Sequence, residues 1–476
     1  MTTSSNPYKA ALEVAMQKAN AFLESLDEHP VGVTETYEVL KSLWSQELPV
    51  DGMAAHQVIE ELNKAALPGL NLNQSGRFFA WVIGGSHPAA IAADWLTSVW
   101  DQNAGLYACT PSSSIVEEIA GKWLKQILNI PDHASFAFVT GCQMAHFTCL
   151  SAARNHLLHI QGWDVEARGL MGAPRIRIIC GDQKHSTVPR ALRMLGLGTE
   201  AIIQIPSDSD GRIQPDAFEA EMQREPKVPA LVLLQAGDIH TGAFDDFEKL
   251  MPIAHKYPSW VHIDGAFGLW AAASPDYCHL MKGAEWADSW ATDGHKWLNV
   301  PYDSGFAFTA HPEAHSRSFA VQAGYLAKGD GARDQMTWTP EFSRRARGYA
   351  TYAAIRELGS RGIADSVDRF CKYATTIVDG ASQNAQTEVL AHPIINQGVI
   401  RFKHASNEAD EATHDQFTVD VISAINASGE AFFQPSVYKG KRCMRISVSG
   451  WRTNDEDVRR AVEAIHQAIE TVNKTK

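Results

Sequence analysis

The middle of the chain alternates short apolar runs with longer stretches that carry apolar residues at helical spacing. The apolar runs have the length of buried strands and lie at 136–139, 176–179, 201–203, 231–234, 261–263 and 306–308. Strands that alternate with helices predict an open, mostly parallel α/β sheet. In such a sheet ligands bind beyond the carboxyl ends of the strands, so the residues after each run are the first candidates for a functional site.

Two further regions have a different pattern. Residues 8–65 show helical spacing with little strand signal, and we expect this arm to pack on a partner subunit or on the rest of the chain. Residues 322–345 are rich in Gly, Asp, Lys and Arg, which predicts a mobile loop.

The end of the chain predicts a smaller α+β unit. Strands are expected near 398–403 and 443–449, and a capping-box pattern at 453–456 begins a last amphipathic helix. We therefore divide the chain into three parts. They are a helical arm (1–75), a large domain to which the mobile loop 322–345 is assigned (76–340), and a small C-terminal domain (341–476).

Composition and charge narrow the class of protein. The 476 residues are enough for a large core and two or three domains, and 45% hydrophobic with 20% charged residues is typical of a soluble globular protein. A net charge of −13 without a Lys/Arg-rich run argues against nucleic-acid binding. The seven cysteines are odd in number and include no Cys-x-x-Cys pair, which argues against a disulfide framework and a zinc site. We predict no metal.

No segment predicts export or membrane insertion. Residues 1–7 are polar and lack the apolar segment of a signal peptide. No apolar stretch approaches the ~20 residues that span a bilayer. We therefore expect a cytoplasmic protein without a membrane partner.

Lys296, in the run Asp-Gly-His-Lys-Trp at 293–297, is the strongest candidate for chemistry. It lies 32 positions (296 − 264) after Asp264, which ends the apolar run of a predicted strand. A lysine amine can form a Schiff base with the aldehyde of pyridoxal phosphate (PLP), and an aspartate can keep the pyridine nitrogen of PLP protonated. Taken alone, Lys296 would be interpreted as an ordinary surface lysine and Asp264 as an aspartate that caps a turn. Their order along the chain favours a PLP site.

Two other segments follow strands in the order that such a site needs. Gly141, Cys142 and Gln143 form a glycine turn between a strand and a helix, where free N–H groups can bind a phosphate. His185 follows the strand at 176–179, where an imidazole can lie flat on a planar cofactor. Taken alone, the glycine turn is more often a routine turn between a strand and a helix, and His185 is more often a capping or core histidine.

Together these motifs resemble the group II PLP-dependent amino acid decarboxylases, and most closely the aromatic L-amino acid decarboxylases. The resemblance rests on the His185 motif, His-x-Asp-x-Ala at 262–266 and His-Lys-Trp at 295–297, and it covers residues 76–470. It implies the aspartate aminotransferase fold (fold type I), with a large domain around a mostly parallel, seven-stranded type of sheet and a small C-terminal α+β domain. It also implies a homodimer with the active site at the subunit interface.

The resemblance implies a role for each residue around the cofactor. Lys296 would hold PLP, Asp264 would pair with the pyridine nitrogen, and His185 would stack on one ring face. The other ring face would lie on Ala266.

Further roles concern the phosphate and the proton. Gly141, Cys142 and Gln143 would bind the phosphate, and His295 would assist them. Tyr325, in the predicted mobile loop, would donate a proton to the substrate carbon after carbon dioxide leaves. A packed edge aromatic is the plainer interpretation of this tyrosine.

The chain also departs from the family pattern. Met144 stands where an acidic residue is common, and Gln235 stands where a threonine is common. The loop reads Gln-Met-Thr-Trp at 335–338, where the family often carries an arginine before a His-Trp pair. These departures bear on the substrate more than on PLP.

The resemblance places Trp81, Leu106 and Tyr107 at the substrate side chain, where they would form an apolar or aromatic wall. An aromatic L-amino acid converted to its amine is therefore the first expectation. Other PLP reactions stay open: oxidative decarboxylation-deamination to an aldehyde, aldol-type cleavage and transamination. In the family, Phe at 325 or Asn at 185 favours the aldehyde route, and neither is present. A non-enzymatic PLP-fold regulator is a third alternative, disfavoured by the acidic charge.

Overall fold

The computed structural model describes residues 6–45, 47–321 and 332–475. The helices are α1 Lys9–Glu24, α2 Tyr37–Trp44, α3 Ala55–Ala66, α4 Pro88–Trp100, α5 Pro111–Ile127, α6 Cys142–His159, α7 Val165–Arg168, α8 Thr187–Met194, α9 Pro215–Arg224, α10 Phe247–Ala254, α11 Pro312–Phe319, α12 Gly348–Ser382, α13 Glu411–Ser428 and α14 Asp455–Thr475. The strands are β1 Phe78–Phe79, β2 Ser135–Val139, β3 Arg177–Gly181, β4 Ile202–Ile205, β5 Ala230–Gln235, β6 Ser259–Asp264, β7 Ser289–Asp293, β8 Gly305–Thr309, β9 Thr387–Ala391, β10 Gln397–Phe402, β11 Phe432–Tyr438 and β12 Lys441–Ser447. Short 3-10 turns lie at 67–69, 268–273, 278–281, 284–286 and 335–337.

The chain forms two compact units. The large unit contains residues 85–375 and 391–399, and the small unit contains residues 1–84, 376–390 and 400–476. The three-part division predicted from the sequence stays a prediction.

A seven-stranded sheet forms the centre of the large unit, in the order β2-β8-β7-β6-β5-β3-β4. Six strands run in one direction and β8 runs antiparallel to both of its neighbours. Each of the six apolar runs in the sequence became one of these strands. The seventh strand, β7, was not predicted, because its sequence Ser-Trp-Ala-Thr-Asp has only two adjacent apolar residues.

Helix α6 packs on this sheet through its apolar face. Ala145 and Cys149 of α6 are fully buried among Ala137, Ala291 and Ala307 of the strands. Small side chains on both sides allow the helix to lie close to the sheet. This close packing brings the beginning of α6 to the carboxyl ends of β6 and β7.

The small unit contains a five-stranded sheet in the order β1-β11-β12-β10-β9. Its predicted strands near 398–403 and 443–449 and its last helix are confirmed as β10, β12 and α14. Arg77 is buried in this unit and donates from its guanidinium to the main-chain carbonyls of residues 26, 27, 29, 429 and 430. Among the described residues, no helix combines the length and the apolar character that crossing a membrane requires.

Candidate active site

The candidate site lies at the carboxyl edge of the seven-stranded sheet. Asp264 ends β6 and Asp293 ends β7, and these two strands are parallel neighbours. The turn at 140–141 follows β2, and His185 follows β3. Since carboxyl ends of parallel strands share one edge, the fold brings together groups that are far apart in sequence.

Lys296 points its amine at a carboxylate. Its Nζ lies 2.9 Å from Oδ2 of Asp293, a buried residue three positions earlier in the chain. Burial by itself lowers the pKa of Lys296, but the carboxylates of Asp293 and Asp264 outweigh this effect and hold the pKa above its ordinary value. In this arrangement Lys296 is an ammonium ion paired with Asp293.

Asp264 is buried, yet its surroundings favour its ionised form. Burial raises its pKa, but His146, His185 and Lys296 together lower the pKa well below the ordinary value. Its Oδ2 lies 3.4 Å from Nε2 of His146, and its Oδ1 accepts the N–H of Ala266 at 3.2 Å. A carboxylate of this kind can hold a positive charge on a ligand next to it.

Behind Asp264, two buried histidines contact each other. Nδ1 of His146 lies 2.9 Å from Nε2 of His262, and Nδ1 of His262 lies 2.9 Å from Oγ of Ser289. Burial and His146 lower the pKa of His262 to about 3, so this imidazole is neutral.

The turn before α6 suits a phosphate group. Gly141 is the N-cap residue, and a Cβ added to it would lie 3.0 Å from Cε1 of His295. Among the described residues, the amide nitrogen and oxygen of the Gln143 side chain are buried without a hydrogen-bond partner. A helix N-terminus, an unpaired buried amide and a turn in which a Cβ would crowd His295 are features that suit a phosphate oxygen here.

His295 is fixed beside this turn. Its ring stacks on Tyr302 with centroids 4.1 Å apart, and its Nδ1 accepts the N–H of Ser304 at 3.1 Å. Its Nε2 lies 3.3 Å from Oδ1 of Asp293. Burial lowers the pKa of His295, although Asp293 opposes this effect, so His295 acts as a neutral donor through Nε2.

His185 and Ala266 lie at the same edge. Nδ1 of His185 lies 2.8 Å from Oγ1 of Thr187, the first residue of α8, which fixes the imidazole at the end of β3. The carbonyl of Ala266 accepts the N–H of Asp293 at 3.0 Å. This bond ties the segment after β6 to the end of β7, next to Lys296.

Cys142, His146 and Asp264 bring one sulfur, one nitrogen and one oxygen atom within 4.8 Å of one another. Burial, Asp264 and Asp293 raise the pKa of Cys142 well above its ordinary value, so it is a thiol. Metal ions bind the thiolate, and a thiol here donates to Oδ1 of Asp264 instead. The absence of a metal stays a prediction.

The segment proposed to face the substrate is held by residues 332–345. The N–H of Tyr107 donates to Oδ1 of Asp334 at 2.8 Å, and the N–H of Met336 donates to the carbonyl of Gly105 at 3.0 Å. Leu106 and Tyr107 are half-buried in this arrangement. The described part of the predicted mobile loop is therefore bonded to the predicted substrate segment.

Trp81 belongs to the small unit, where it is 42% exposed. Its ring stacks on Phe78 and Phe432, with centroids 5.9 Å and 6.0 Å away. Tyr325 lies outside the described residues, so its role stays a prediction.

Three residues of the site were given no role from the sequence. Asp293 lies in the lysine motif, and its position at the end of a strand beside Lys296 is a signal that could have identified it. His146 faces the sheet four residues after Cys142, but this becomes evident only once α6 is packed on β6. Nothing in the sequence around Tyr302 indicates its stacking on His295.

Comparisons with known proteins agree with this geometry. Residues 38–404 match a sequence model described as the pyridoxal-dependent decarboxylase conserved domain. An aromatic-L-amino-acid decarboxylase of Bacillus atrophaeus is 24% identical over 459 residues, which cover 95% of this chain and 93% of that protein. A 4-hydroxyphenylacetaldehyde synthase of Rhodiola rosea is 23% identical over 423 residues, covering 86% of this chain and 84% of that protein.

Solved structures support the fold. The crystal structure of Oryza sativa TDC with PLP and tryptamine superposes with a TM-score of 0.91, at 22% identity and over 99% of both chains. This likeness confirms the predicted fold class, a mostly parallel seven-stranded sheet with a smaller second sheet.

Proposed function

The chain belongs to the pyridoxal-dependent decarboxylase family, and from this premise we propose that it converts an aromatic L-amino acid to its amine and carbon dioxide. The match to the family model confirms three predictions: membership of this family, PLP as the cofactor, and the class of PLP-dependent carboxy-lyase. The aromatic substrate, the amine as product and the role of each residue are the proposal.

The observation that carries the proposal is the pairing of Lys296 with Asp293 at one edge of the sheet, next to an ionised Asp264. When bound, PLP would hold the substrate through its aldehyde carbon and withdraw electrons from the α-carbon, so that the carboxylate can leave. Lys296 would supply the amine that attaches the cofactor. Asp264 would keep the proton on the pyridine nitrogen, and this proton makes the ring electron-withdrawing.

The other residues would orient the cofactor. Gly141, Cys142 and Gln143 would bind the phosphate with main-chain N–H groups and the unpaired Gln143 amide, with His295 as a further donor through Nε2. The N–H of Cys142 donates to Oδ1 of Asp293 in the structure, so it would have to exchange this partner for the phosphate. His185 and Ala266 would limit the two faces of the ring. Rigid positioning of this kind aligns the bond that breaks and accounts for much of an enzyme's rate.

The hydroxyl of Tyr325 would deliver a proton to the α-carbon after carbon dioxide leaves. A positioned general acid contributes on the order of 10²–10⁴-fold to such a step. A tyrosine at 325 and a histidine at 185 favour the amine as product, although relatives include both decarboxylases and aldehyde synthases. The nature of the product is therefore the first thing to measure.

An aromatic side chain is the substrate class that the chain's residues support best. Leu106 and Tyr107 would offer apolar and aromatic surface, and the segments 81–84 and 103–107 contain no Lys or Arg for an acidic side chain. Relatives named tryptophan decarboxylase 1 of Oryza sativa and tyrosine decarboxylase 2 of Arabidopsis thaliana point in the same direction.

A cytoplasmic homodimer with its active site at the subunit interface is part of the proposal. Helices α1, α2 and α3 bury no residue, and α4 exposes Trp95, Leu96, Val99 and Trp100. Apolar surface of this extent is typical of an interface. All seven cysteines are free, which suits a reducing compartment. Light scattering on the purified protein would give twice the monomer mass of 52.2 kDa.

The test incubates the purified protein and PLP with single L-amino acids and measures carbon dioxide together with the organic product. The panel is Trp, Tyr, Phe, Dopa, His, Glu, Asp and 2,4-diaminobutyrate. We expect one aromatic amino acid to yield carbon dioxide and amine in equal amounts. Aldehyde with ammonia would contradict the proposed product, and release of carbon dioxide from Glu or Asp alone would contradict the substrate class.

Two lysine variants give the control. Lys296→Ala should abolish product formation, because it removes the amine that attaches PLP. Lys282→Ala removes an exposed lysine that pairs only with Glu248 at 3.8 Å among the described residues, and it should keep full activity. Equal activity of both variants would refute the role of Lys296.

A further inference from the structure

A line of buried polar groups runs from the middle of the sheet to Asp264. Successive side chains of a strand point to opposite faces, so Trp260, His262 and Asp264 of β6 share one face. Helix α6 covers this face and places His146 there. The parallel register between β6 and β7 sets Ser289 directly beside His262.

The contacts are continuous from one end to the other. Nε1 of Trp260 donates to Oγ of Ser289 at 2.8 Å, and this oxygen lies 2.9 Å from Nδ1 of His262. Nε2 of His262 lies 2.9 Å from Nδ1 of His146, whose Nε2 lies 3.4 Å from Oδ2 of Asp264. The side chains of both histidines and of Trp260 and Ser289 are fully buried.

The two ends of this line fix the direction of its hydrogen bonds. The indole N–H of Trp260 can only donate, and an ionised Asp264 can only accept. Nε2 of His146 therefore carries a hydrogen. Ser289 accepts from Trp260, so its own hydrogen points to Nδ1 of His262. The neutral His262 then donates from Nε2–H to Nδ1 of His146, and His146 needs a hydrogen only at Nε2.

The neighbouring thiol agrees with this assignment. Sγ of Cys142 lies 3.4 Å from Nε2 of His146 and 3.9 Å from Oδ1 of Asp264. A thiol there can accept from His146 and donate to Asp264, so no hydrogen of the cluster is without an acceptor. Hydrogen bonds that all point the same way strengthen one another at low dielectric.

We infer that Trp260, Ser289, His262 and His146 form a one-directional hydrogen-bond chain in which His146 is a positioning residue that presents Nε2–H to Asp264 and holds this carboxylate ionised for the pyridine nitrogen of PLP. The inference rests on the proposed role of Asp264. It adds two histidines that do not touch the reacting atoms and act only through that carboxylate.

The consequence is specific to the ring nitrogen of the cofactor. Loss of His146 leaves Asp264 buried with one fewer donor, so the carboxylate holds a pyridinium less well. The phosphate, aldehyde and ring faces of PLP are bound by other residues and should be unaffected. A PLP analogue with carbon in place of the ring nitrogen, 1-deazapyridoxal 5′-phosphate, removes the partner of Asp264 and keeps the rest.

The experiment measures dissociation constants of PLP and of the deaza analogue by equilibrium dialysis with the full chain freed of cofactor. The variants are His146→Leu, His146→Gln and His262→Leu. We expect H146L to weaken PLP binding by about 10- to 100-fold and to leave binding of the analogue unchanged, because a hydrogen bond to a charged group is lost. H146Q should recover most of this loss, since its amide can donate to Asp264.

H262L tests the chain beyond His146. It should weaken PLP binding less than H146L does, again without an effect on the analogue. The matched control is His315→Leu, because His315 is equally buried and hydrogen-bonded, but to Ser135 and to the carbonyl of Trp338. H315L should leave the ratio of the two dissociation constants unchanged.

The outcomes separate the inference from the proposed function. If H146L weakens both cofactors equally, or if H262L has no effect on PLP, the hydrogen-bond chain is refuted and the role of Asp264 survives. If the wild-type protein binds PLP no more tightly than the analogue, the proposed role of Asp264 is wrong, and the inference of a hydrogen-bond chain is wrong as well.

Discussion

Replacing Asp293 by Asn tests how the site controls its lysine. The Asp293 carboxylate is 2.9 Å from Nζ of Lys296 and is only slightly exposed, so it stabilises the ammonium form. The neutral amine is the form that can attack the aldehyde of PLP. The carboxylate should therefore slow attachment of the cofactor at neutral pH, and its removal should speed it.

The size of the effect follows from the geometry. Two unit charges at this distance attract by about 6 kcal/mol at an effective dielectric constant of about 20, an upper bound for a partly solvated amine. Opposite charges in contact shift a pKa by about 1 to 3 units in practice. Burial of Lys296 acts in the same direction once the carboxylate is gone. At pH 7 the neutral fraction of the amine should rise by about 10- to 1000-fold.

The assay mixes cofactor-free protein with saturating PLP and follows the absorbance of the lysine–cofactor adduct from about pH 6 to about pH 10. In the wild type the rate should climb throughout this range, and in Asp293→Asn it should level off within it. Asp303→Asn is the control, because Asp303 is partly exposed on the same segment and pairs with Arg347. If the pH midpoint in D293N equals that in D303N, the ion pair does not govern Lys296.

Three further predictions concern other parts of the molecule. Burial raises the pKa of Asp245 to about 6, so between about pH 4 and 6 the folded state holds a proton that the unfolded state has lost. The free energy of unfolding should therefore fall by about 3 kcal/mol as the pH rises through this range. Urea unfolding of Asp245→Asn at several pH values should not show this decrease. Gly141→Ala would bring a Cβ to 3.0 Å from His295, so equilibrium dialysis should detect weaker PLP binding while the urea midpoint changes little. Tyr325→Phe removes the proposed proton donor, and aldehyde, ammonia and peroxide should replace the amine as dioxygen is consumed.

Local patterns predicted six of the seven strands of the large sheet and the edge that carries the candidate site. Buried parallel strands are apolar throughout, so the runs at 231–234 and 261–263 stand out, and their ends mark the edge where Asp264 lies. Strand β7 was missed because three of its five residues, Ser289, Thr292 and Asp293, are polar. Oγ of Ser289 contacts Trp260 and His262, and Asp293 contacts Lys296. A strand whose side chains make polar contacts loses the apolar signal by which strands are recognised.

Contacts across long sequence separations could not be predicted. The guanidinium of Arg77 donates to the carbonyl of Glu430 at 2.8 Å, across 353 positions, and no local pattern indicates that these segments meet in one unit. The same holds for His146 and His262, which are 116 positions apart. Each looks like an ordinary core histidine until α6 is packed on β6.

The two carboxylates of the site illustrate why local geometry decides function here. Asp264 and Asp293 end adjacent parallel strands and are both buried, so their position on the sheet and their burial alone would make them equivalent. Their partners differ: Asp264 faces Nε2 of the His146 imidazole, whereas Asp293 faces the amine of Lys296. In the proposed function, Asp264 balances the charge of the pyridine nitrogen of PLP, while Asp293 balances the charge of the Lys296 ammonium group. Loss of the Asp264 carboxylate should weaken electron withdrawal by the cofactor, and loss of the Asp293 carboxylate should free Lys296 to react.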